Sequence, residues 1–353
     1  MIDHLFPYKW TLKDAVFTKD KGKVFSCFAC GGGSTMGYKL AGYDVLGCNE
    51  IDPKMMDVYI KNHSPKYSYL ESIQTFKNRD DLPDELYNLD ILDGSPPCSS
   101  FSIAGNRQKD WGKKKKFREG QQEQILDTLF FDFIDLAKKL QPKVVIAENV
   151  KGLLLGDARN YVINIYNEFE KAGYYVQHWL LNASKMGVPQ NRERVFFVAL
   201  RKDLAEPFLM QKDLFTVAPK LDLGFKEPEI KYKTIRQDEG NKDALGLSKM
   251  ISYYWKLTTP GKSLSENHSK GSYFNEVKVS PDKVLPTIMA SGLPYDYEIE
   301  RTLYDEEVKQ AGSFPLDYDF CGQKTFYIIG MSVPPVMTAQ IATRIHDQWL
   351  SKI

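Results

Sequence analysis

The chain of 353 residues is 42% hydrophobic and 26% charged, which predicts about two domains with a large core and excludes a disordered chain. Its 47 Lys and Arg residues against 46 Asp and Glu residues leave a net charge of +1, so a nucleic-acid-binding surface must be a local patch. No apolar run approaches the roughly 20 residues that span a bilayer, and five scattered cysteines cannot form a disulfide scaffold, so we expect a cytoplasmic protein.

Short apolar runs alternate with amphipathic stretches in the first 200 residues, which is typical of an α/β sheet protein. The predicted strands are residues 24–28, 44–50, 89–94, 144–149, 176–182 and 194–200. The predicted helices between them include residues 53–63, 121–140 and 158–173. In the second helix, apolar residues from Ile125 to Leu140 recur at helical spacing, so one of its faces is expected to be buried.

The alternation of strands and helices ends near residue 201. Residues 201–285 mix charged residues, Gly and Pro with short apolar pieces, which predicts a small, irregular second domain. A helical pattern at 338–353 indicates that the chain then returns to the first domain. The predicted organisation is therefore a first domain at 1–200, a second at 201–285, and a return to the first at 286–353.

Residues 24–52 have the pattern of a strand, a glycine-rich turn, a helix and a second strand. Glycines 31–33 let the backbone approach a ligand, and Glu50 ends the second strand, where a carboxylate can accept hydrogen bonds from ribose hydroxyls. A nucleoside-bearing cofactor is indicated; the alternatives are a plain tight turn and a dinucleotide site, although the spacing is not G-x-G-x-x-G. Cys27 and Cys30 have no second Cys or His pair at zinc spacing, so we expect a buried strand end there.

The stretch D-I-L-D-G-S-P-P-C-S-S-F-S (90–102) ends an apolar strand in a turn that presents Cys98. Two consecutive prolines fix φ and stiffen the turn, which suits a side chain that must keep one attacking geometry. A nucleophilic cysteine needs a lowered pKa or a nearby base. A lone cysteine is otherwise a small buried apolar residue, so this turn alone leaves both interpretations open.

Polar residues occur at two further strand ends. Glu148 and Asn149 end an apolar strand, and Arg192 and Arg194 occupy alternate positions entering another, so both arginines are expected to point to one face. Each observation has a plainer explanation, a helix cap for the glutamate and solvated side chains for the arginines. Their joint occurrence at strand ends favours a functional site.

In this order, the motifs resemble those of the DNA (cytosine-5)-methyltransferases of bacterial and phage restriction–modification systems, across nearly the whole chain. The motifs are F-A-C-G-G-G (28–33), E-I-D (50–52), G-S-P-P-C-S-S-F-S (94–102), E-N-V (148–150), Q-N-R-E-R (190–194), P-T-I (286–288) and G-M-S-V-P-P (330–335). The resemblance implies a Rossmann-like methyltransferase domain dependent on S-adenosylmethionine, with a smaller irregular target-recognition domain at 201–285. It also implies DNA (cytosine-5-)-methyltransferase activity on a specific duplex sequence.

The resemblance further implies a covalent mechanism on a cytosine that is flipped out of the duplex. The Cys98 thiolate would add to position 6 of the ring, and Glu148 would bind N3 and the exocyclic amine. Arg194 would contact the carbonyl oxygen, with Arg192 organising the site. Carbon 5 would then accept the methyl group, and a base would remove the 5-proton as Cys98 leaves.

The implied cofactor is S-adenosylmethionine, and no metal is expected. The residues expected to bind the cofactor are Phe28, Gly31, Gly32, Gly33, Glu50, Ile51, Ser72, Ile73, Ser95, Pro97, Ser332 and Val333. The chain departs from the family pattern at four positions: Cys30 replaces a glycine, Ser72 an acid, Ser99 a glutamine and Met331 an asparagine. These departures weaken the cofactor assignment more than the catalytic one.

A basic run follows the nucleophile, with seven basic residues and one acidic residue at 105–118. Such a run is often a solvated face, but the resemblance implies a loop that closes over the flipped base and contacts phosphates. The residues expected to bind DNA are Arg107, Lys113, Lys114, Lys115, Lys116 and Gln190. The aromatic residues of 201–285 either line a groove for DNA or form that domain's own core.

Other functions remain open from the sequence. One is a cytosine-5 tRNA methyltransferase, and another is a catalytically idle DNA-binding relative, which the departures at Cys30, Ser72 and Met331 motivate. A nicotinamide-dependent oxidoreductase would explain the glycine-rich turn but not Cys98 and the two arginines. The expected partner is double-stranded DNA, bound by a monomer, and a cognate restriction endonuclease would be a functional rather than a physical partner. No membrane partner is expected.

Overall fold

The structure is a computed structural model with two compact units. It describes residues 4–97, 128–155, 158–211, 217–237, 246–269 and 271–353, and the backbone of 114–115 and 124–125. The unit called the sheet unit comprises residues 17–181, 193–224 and 341–353. The unit called the second unit comprises residues 1–16, 182–192 and 225–340.

The helices and strands are numbered in chain order. The strands are β1 (Lys23–Cys27), β2 (Asp44–Glu50), β3 (Tyr67–Leu70), β4 (Ile91–Gly94), β5 (Lys114–Lys115), β6 (Gln124–Ile125), β7 (Val144–Val150), β8 (Tyr174–Asn182), β9 (Glu193–Arg201), β10 (Leu209–Gln211), β11 (Val217–Pro219), β12 (Lys262–Ser263) and β13 (Val277–Lys278). The helices are α1 (Gly33–Leu40), α2 (Pro53–His63), α3 (Ile73–Lys77), α4 (Leu129–Leu140), α5 (Arg159–Lys171), α6 (Tyr232–Ile235), α7 (Lys249–Leu257), α8 (Asp305–Ala311), α9 (Thr325–Met331) and α10 (Pro335–Gln348).

A seven-stranded sheet in the order β3-β2-β1-β4-β7-β9-β8 forms the centre of the sheet unit. The strands from β3 to β7 are parallel, and β9 pairs antiparallel with β7. The chain proceeds outward from β1 through β2 to β3, and then continues on the other side of β1 with β4. This reversal is a topological switch point, and ligands of such sheets bind outside the carboxyl ends of the strands that flank it. The α/β fold class predicted from the sequence is confirmed.

The central strands are apolar because both faces of the sheet are covered. Residues 144–147 of β7 are all buried, and α4 packs its apolar side against the same core. Gly94, at the end of β4, is needed for this packing. A Cβ atom at that position would lie 2.6 Å from the Phe133 ring of α4.

Helix α2 shows why local sequence signals predict some elements well. Asp52 caps its first turn by accepting a hydrogen bond from the Lys54 N–H at 2.9 Å, and Pro53 occupies the first helical position. Ser64, in the left-handed region at φ 45°, ends the helix. The observed range is the one that the sequence predicts.

The predicted helix at 121–140 was wrong in its first part. The backbone of Gln124–Ile125 pairs antiparallel with that of Lys114–Lys115, and an extended strand cannot belong to a helix. Helix α4 therefore begins only at Leu129. The helix predicted at 338–353 occupies Pro335–Gln348 and is followed by a short 3-10 turn.

The segment predicted as one recognition domain is divided between the two units. Residues 201–224, including β10 and β11, lie in the sheet unit, where the Trp349 indole N–H donates to the Lys220 carbonyl at 2.7 Å. Residues 225–285 lie in the second unit together with 286–340. The functional role assigned to residues 201–285 stays a prediction.

A buried charge cluster lies in the core of the second unit. The Arg301 guanidinium donates to both carboxylate oxygens of Glu307, at 2.8 and 2.9 Å, and to Asp296 at 3.2 Å. The Tyr232 hydroxyl lies 2.8 Å from Asp296 and 3.2 Å from Glu307, and Arg236 pairs with Asp296 at 2.8 Å. Opposite charges and hydrogen bonds compensate the cost of burying these groups, so the cluster is structural.

Two further features concern the described residues only. Within the residues that the structure describes, no helix combines the length and the apolar character that crossing a membrane requires. In the same part of the chain, His, Cys, Asp and Glu side chains form no group of three that could hold a metal ion.

Candidate active site

The carboxyl edge of the sheet brings the predicted site residues of the sheet unit together. The turns after β1 and β4 flank the switch point, and β7 ends beside β4 at the same edge. Because β9 runs antiparallel to β7, its first residues also lie at this edge. Four stretches that are far apart in sequence therefore meet at one place.

The turn between β1 and α1 has the sharp bend that its glycines predict. Gly32 lies in the left-handed region at φ 86° and donates its N–H to the Ala29 carbonyl at 2.9 Å. Gly31, Gly32 and Gly33 are all buried. Phe28 and Cys30 also have positive φ values, 52° and 48°, which residues other than glycine seldom adopt.

Glu50, at the end of β2, is buried behind this turn. Its carboxylate accepts hydrogen bonds from the N–H groups of Cys30 at 2.7 Å and of Ile51 and Asp52 at 2.8 Å each. Burial raises the pKa of Glu50, and the three backbone donors oppose that rise. A carboxylate offers about four lone-pair directions, so three backbone bonds leave room for about one ligand hydroxyl. The turn and this acid therefore fit a nucleoside-bearing group.

The residues predicted to contact the adenine side of a cofactor follow β3. The Ser72 hydroxyl caps α3 by accepting the Thr75 N–H at 3.1 Å, and Ile73 is buried in the core. Ser72 thus presents a locally bonded hydroxyl at the position where the family pattern has an acid. The structure offers no carboxylate at residue 72 to bind an adenine amine.

The turn after β4 carries Ser95, Pro96 and Pro97 toward the predicted nucleophile. Ser95 and Pro97 are partly exposed, and Pro96 is buried. The Asn149 side-chain amide donates to the Pro96 carbonyl at 3.1 Å, which ties this turn to the end of β7. Cys98 itself lies outside the described residues.

Glu148 and Arg194 form a buried ion pair across β7 and β9. The Arg194 Nε lies 3.0 Å from a Glu148 carboxylate oxygen, and both side chains are largely buried. Glu148 lies opposite Phe196 and Arg194 opposite Val150, so the two charged side chains are diagonal neighbours on one face. Burial lowers the pKa of the Arg194 guanidinium, and the Glu148 charge opposes that shift. The pair fixes an acceptor and a donor side by side at the sheet edge.

Arg192 does not join this pair. It precedes β9, lies in the second unit with 1% of its surface exposed, and donates to the Ile288 carbonyl at 3.2 Å and the Gly330 carbonyl at 2.9 Å. Alternation along a strand predicted a shared face for the two arginines. The strand begins at Glu193, one residue after Arg192, so the shared face and the organising role of Arg192 stay predictions.

Three other predicted contact residues also lie in the second unit. Gln190 has none of its surface exposed, donates to the Ala311 carbonyl and accepts the Ile288 N–H. A direct contact of this side chain with DNA would require it to leave these partners. The Ser332 hydroxyl donates to the Ile328 carbonyl at 2.8 Å, and Val333 is buried.

The predicted DNA-binding loop is described only in part. Lys114 and Lys115 form β5, which pairs through its backbone with β6. Arg107, Lys113 and Lys116 lie outside the described residues. Their contacts with phosphates stay predictions.

Asp93 lies beside the candidate site residues at the switch point, and sequence reasoning did not single it out. It is 4% exposed and accepts hydrogen bonds from three hydroxyl groups at the switch point. The available signal was an acid inside the apolar strand L-D-I-L-D-G, directly before the nucleophile turn. A charged residue in a strand that is buried on both faces needs partners, and therefore indicates a special role.

Comparison with known proteins identifies the family. The profile of the family described as C-5 cytosine-specific DNA methylase matches residues 22–347. The chain belongs to this family. The resemblance seen in the motifs is therefore confirmed, and it includes the segments on both sides of the variable region.

Curated relatives of this chain include Type II methyltransferases. M.FnuDI of Fusobacterium nucleatum is 38% identical over 182 residues, a match that covers 52% of this chain and 48% of that protein. M.DdeI of Desulfomicrobium norvegicum is 26% identical, with 91% of this chain and 88% of that protein covered. The chain thus spans about half the length of M.FnuDI and most of M.DdeI.

Solved structures of similar fold cover nearly the whole chain. A structure described as a DNA modification methyltransferase encoded within an E. coli prophage has a TM-score of 0.64 and 21% identity, covering 92% of this chain and 99% of that chain. The Spodoptera frugiperda DNMT2 structure has a TM-score of 0.60 and 18% identity, covering 90% and 98%. At these identities the likeness concerns the fold alone, and it agrees with the predicted Rossmann-like methyltransferase class.

Proposed function

We propose that this protein is a DNA (cytosine-5-)-methyltransferase that transfers a methyl group from S-adenosylmethionine to carbon 5 of cytosine in a specific duplex sequence. The observation that carries the proposal is the buried Glu148–Arg194 pair at the sheet edge where β4 leads toward Cys98. Membership of the DNA methylase family supports the reaction. The tRNA enzyme and the idle relative are not favoured by the family match or by the Type II relatives.

The proposed roles follow from the chemistry of the ring. Attack by the Cys98 thiolate on carbon 6 forms a C–S bond and moves electron density to carbon 5, which becomes nucleophilic. Glu148 accepts a hydrogen bond from the exocyclic amine and shares a proton with N3, while Arg194 donates to the carbonyl oxygen. The shared proton and the guanidinium stabilise the negative charge that develops on the ring. After carbon 5 has gained the methyl group, a base removes the proton from carbon 5. The electron pair of that C–H bond re-forms the ring double bond as the C–S bond breaks and the thiolate leaves.

The cofactor site of the proposal is the turn after β1 together with Glu50. S-adenosylmethionine, when bound, supplies an electrophilic methyl group. The backbone of Gly31–Gly33 permits close approach of a ligand, and Glu50 has room for about one further hydrogen bond, suited to a ribose hydroxyl. Ile51, Ile73, Ser95 and Pro97 lie at the same edge as candidate contacts.

Double-stranded DNA is the proposed substrate, bound by a monomer. The target cytosine must leave the base stack before carbon 6 can be attacked, at a cost of about a few kcal/mol. Lysines 113–116 would provide salt-dependent phosphate contacts next to the nucleophile, and residues 201–285 would read the sequence. A cognate restriction endonuclease would share the target sequence without binding the protein.

A covalent trapping assay tests the reaction directly. The protein is incubated with S-adenosylmethionine and random-sequence duplex DNA that contains 5-fluorocytosine, and the mixture is separated on a denaturing gel. Fluorine at position 5 prevents the final proton loss, so a protein–DNA band that depends on the cofactor is expected. Sequencing the trapped DNA then identifies the target.

Two controls separate the possible outcomes. The Cys98→Ala variant should give no band while retaining its affinity for S-adenosylhomocysteine. A band with tRNA and none with duplex DNA would contradict the proposed substrate. Absence of any band with folded protein that binds the cofactor would contradict the reaction itself.

A further inference from the structure

A buried acid lies between the two turns that the proposed reaction uses. Asp93 precedes the last residue of β4, and the nucleophile turn begins immediately after that strand. In the parallel pairing of β1 and β4, Asp93 lies next to Ser26, and Gly94 lies next to Cys27, the last residue of β1. The acid therefore occupies the switch point itself.

Three hydroxyl groups from two elements donate to this carboxylate. The Ser26 hydroxyl of β1 and the Ser34 hydroxyl of α1 each lie 2.8 Å from one oxygen of Asp93. The Tyr38 hydroxyl, one turn further along α1, lies 3.1 Å from the other oxygen. These donors come from the strand before the glycine-rich turn and from the helix after it. The acid thus fixes both ends of that turn relative to β4.

The surroundings of Asp93 make an ionised carboxylate costly. Burial raises the pKa of Asp93 to about 6, and the three hydroxyls oppose this rise. The titratable groups that face it are Cys27 of β1, Tyr38 of α1 and Glu148 of β7. Burial and the Asp93 charge hold the pKa values of the Cys27 thiol and the Tyr38 hydroxyl well above their usual range, so both stay neutral near pH 7. Costly buried acids are concentrated at functional sites.

We propose that Asp93 is a positioning residue that couples the cofactor turn after β1 to the nucleophile turn after β4. This proposal rests on the proposed methyltransferase function. Through Ser26 and Ser34, the carboxylate holds the glycine-rich turn in its ligand-binding shape. Through the chain itself, it fixes where the turn to Cys98 begins. The conformation of the cofactor turn then depends on the conformation of the nucleophile turn, and the reverse.

Binding of S-adenosylhomocysteine, measured by calorimetry between pH 5 and pH 8, tests this role without turnover. Asp93→Asn keeps the shape of the side chain and removes its charge. We expect affinity at pH 8 to fall about tenfold, since hydrogen bonds to a charged group are the strong ones. In the wild type, affinity should also fall as the pH decreases through 6, whereas in the variant it should fall less. Glu50 is present in both proteins, so the difference between them reports on Asp93.

The matched control is Asp90→Asn, the same substitution three residues earlier. Asp90 pairs with Lys143 at 2.9 Å at the opposite edge of the sheet, so cofactor affinity and its pH dependence should remain as in the wild type. Ser34→Ala and Ser26→Ala remove single donors and keep the acid. Each variant should weaken binding of S-adenosylhomocysteine by a smaller factor than Asp93→Asn does. The two variants also test the same contacts if Asp93→Asn does not fold.

A second readout distinguishes coupling from a local effect on the cofactor turn. With cofactor at saturating concentration, Asp93→Asn should still form the 5-fluorocytosine adduct more slowly than the wild type and than Asp90→Asn. Equal affinity and equal pH profiles in Asp93→Asn and Asp90→Asn would overturn the proposal. A wild type that binds no cofactor would overturn the proposed function, and this inference with it.

Discussion

At the scale of single residues, the Glu148–Arg194 pair is the feature most specific to the proposed chemistry. Glu148→Gln keeps the size of the side chain but removes the charge that pairs with the Arg194 guanidinium and that we propose to face the cytosine ring. We expect methyl transfer from labelled cofactor to DNA to fall at least about 100-fold, because preorganised electrostatic groups contribute on that order. Affinity for S-adenosylhomocysteine should change little.

A control for this substitution exists on the neighbouring strand. Glu193 of β9 pairs with Lys151 at 2.8 Å and is partly exposed, so Glu193→Gln should leave transfer close to the wild-type rate. If both variants lost activity equally, the effect would reflect the stability of this part of the sheet rather than contact with the base. Circular dichroism of both proteins checks that they remain folded.

Cys30 departs from the family pattern at a position where the backbone favours glycine. Its φ of 48° lies in the left-handed region, which costs a residue with a Cβ about 1 kcal/mol. Cys30→Gly should therefore raise the free energy of unfolding by about 0.5–1 kcal/mol in urea titrations. Cys30→Ala, which removes the thiol but keeps the Cβ, should give no such gain. Equal free energies of unfolding for Cys30→Gly and Cys30→Ala would contradict the expected backbone strain at residue 30.

Asp93 should make stability depend on pH in a defined window. Its pKa is about 6 in the folded protein, against an ordinary value of 3.8, so the folded state binds more protons between these values. Stability therefore falls as the pH rises from about 4 to about 6, by up to about 3 kcal/mol from this group. Asp93→Asn should lose this dependence and be the more stable protein at pH 8. The free energies of unfolding of the two proteins are measured by urea titration at pH 4 and pH 8. The same difference between the proteins at both pH values would contradict the prediction.

At the scale of elements, the end of β7 holds the turn that leads to Cys98. The Asn149 amide donates to the buried Pro96 carbonyl, and its loss would leave that carbonyl without this partner, at a cost of about 1–3 kcal/mol. Asn149→Ala should slow formation of the 5-fluorocytosine adduct about tenfold while cofactor affinity is kept. Asn88→Ala removes an exposed amide and should have no effect. An unchanged trapping rate in Asn149→Ala would show that the turn is stiff without this contact.

Helix α7 presents an apolar stripe inside the predicted recognition segment. Met250, Tyr253 and Leu257 are 59%, 61% and 52% exposed and recur at helical spacing, while Trp255 on the other side is buried. Exposed Lys249 lies on the same helix. Since the major groove admits a helix and offers thymine methyl groups, we expect this stripe to contact duplex DNA.

Substitution of the central aromatic residue tests this expectation. Tyr253→Ala should weaken binding of target DNA about five- to tenfold, as loss of an exposed aromatic contact does at other interfaces. Ile163→Ala, on α5 of the sheet unit, removes a comparably exposed apolar side chain and should have no effect. Equal DNA affinity of both variants in fluorescence anisotropy would place the reading surface elsewhere.

The sequence predicts those elements that local patterns determine. The Asp-Pro start locates α2, and apolar runs locate six strands of the central sheet, namely β1, β2, β4, β7, β8 and β9. The short β3 was not predicted, because a four-residue strand of alternating exposure gives little local signal. The start of α4 was wrong because pairing with another strand, not helical spacing, determines the conformation of Gln124–Ile125.

The positions of candidate site residues could be predicted where a sequence motif contains them. They could not be predicted where their hydrogen-bond partners are distant in sequence. Glu148 and Arg194 were expected at one edge, and they form an ion pair there. The hydrogen bonds of Asp93 were missed because its donor Ser26 is 67 residues away, and only the order of the strands makes them neighbours. The carbonyl partners of Arg192 were not predicted, because Ile288 and Gly330 are distant from it in sequence.

At the scale of the whole molecule, the charge balance determines how DNA must be held. A net charge of +1 provides almost no long-range attraction for a polyanion, so affinity must come from local basic segments. Lysines 113–116 form the densest of these. Replacing all four with alanine should reduce the slope of log affinity against log salt concentration by about 3–4, since each phosphate contact contributes about 0.9.

The control for this experiment is a variant with the same change in net charge, made at four lysines outside the loop. Lys9, Lys13, Lys138 and Lys352 are exposed and lie outside both the predicted DNA-binding loop and residues 201–285, so their joint replacement should leave the slope nearly unchanged. The preference for target over random DNA should be equal in both variants, because phosphate contacts carry no sequence information. If both replacements lowered the slope equally, overall charge rather than the loop would hold the DNA, and the loop would be a solvated face.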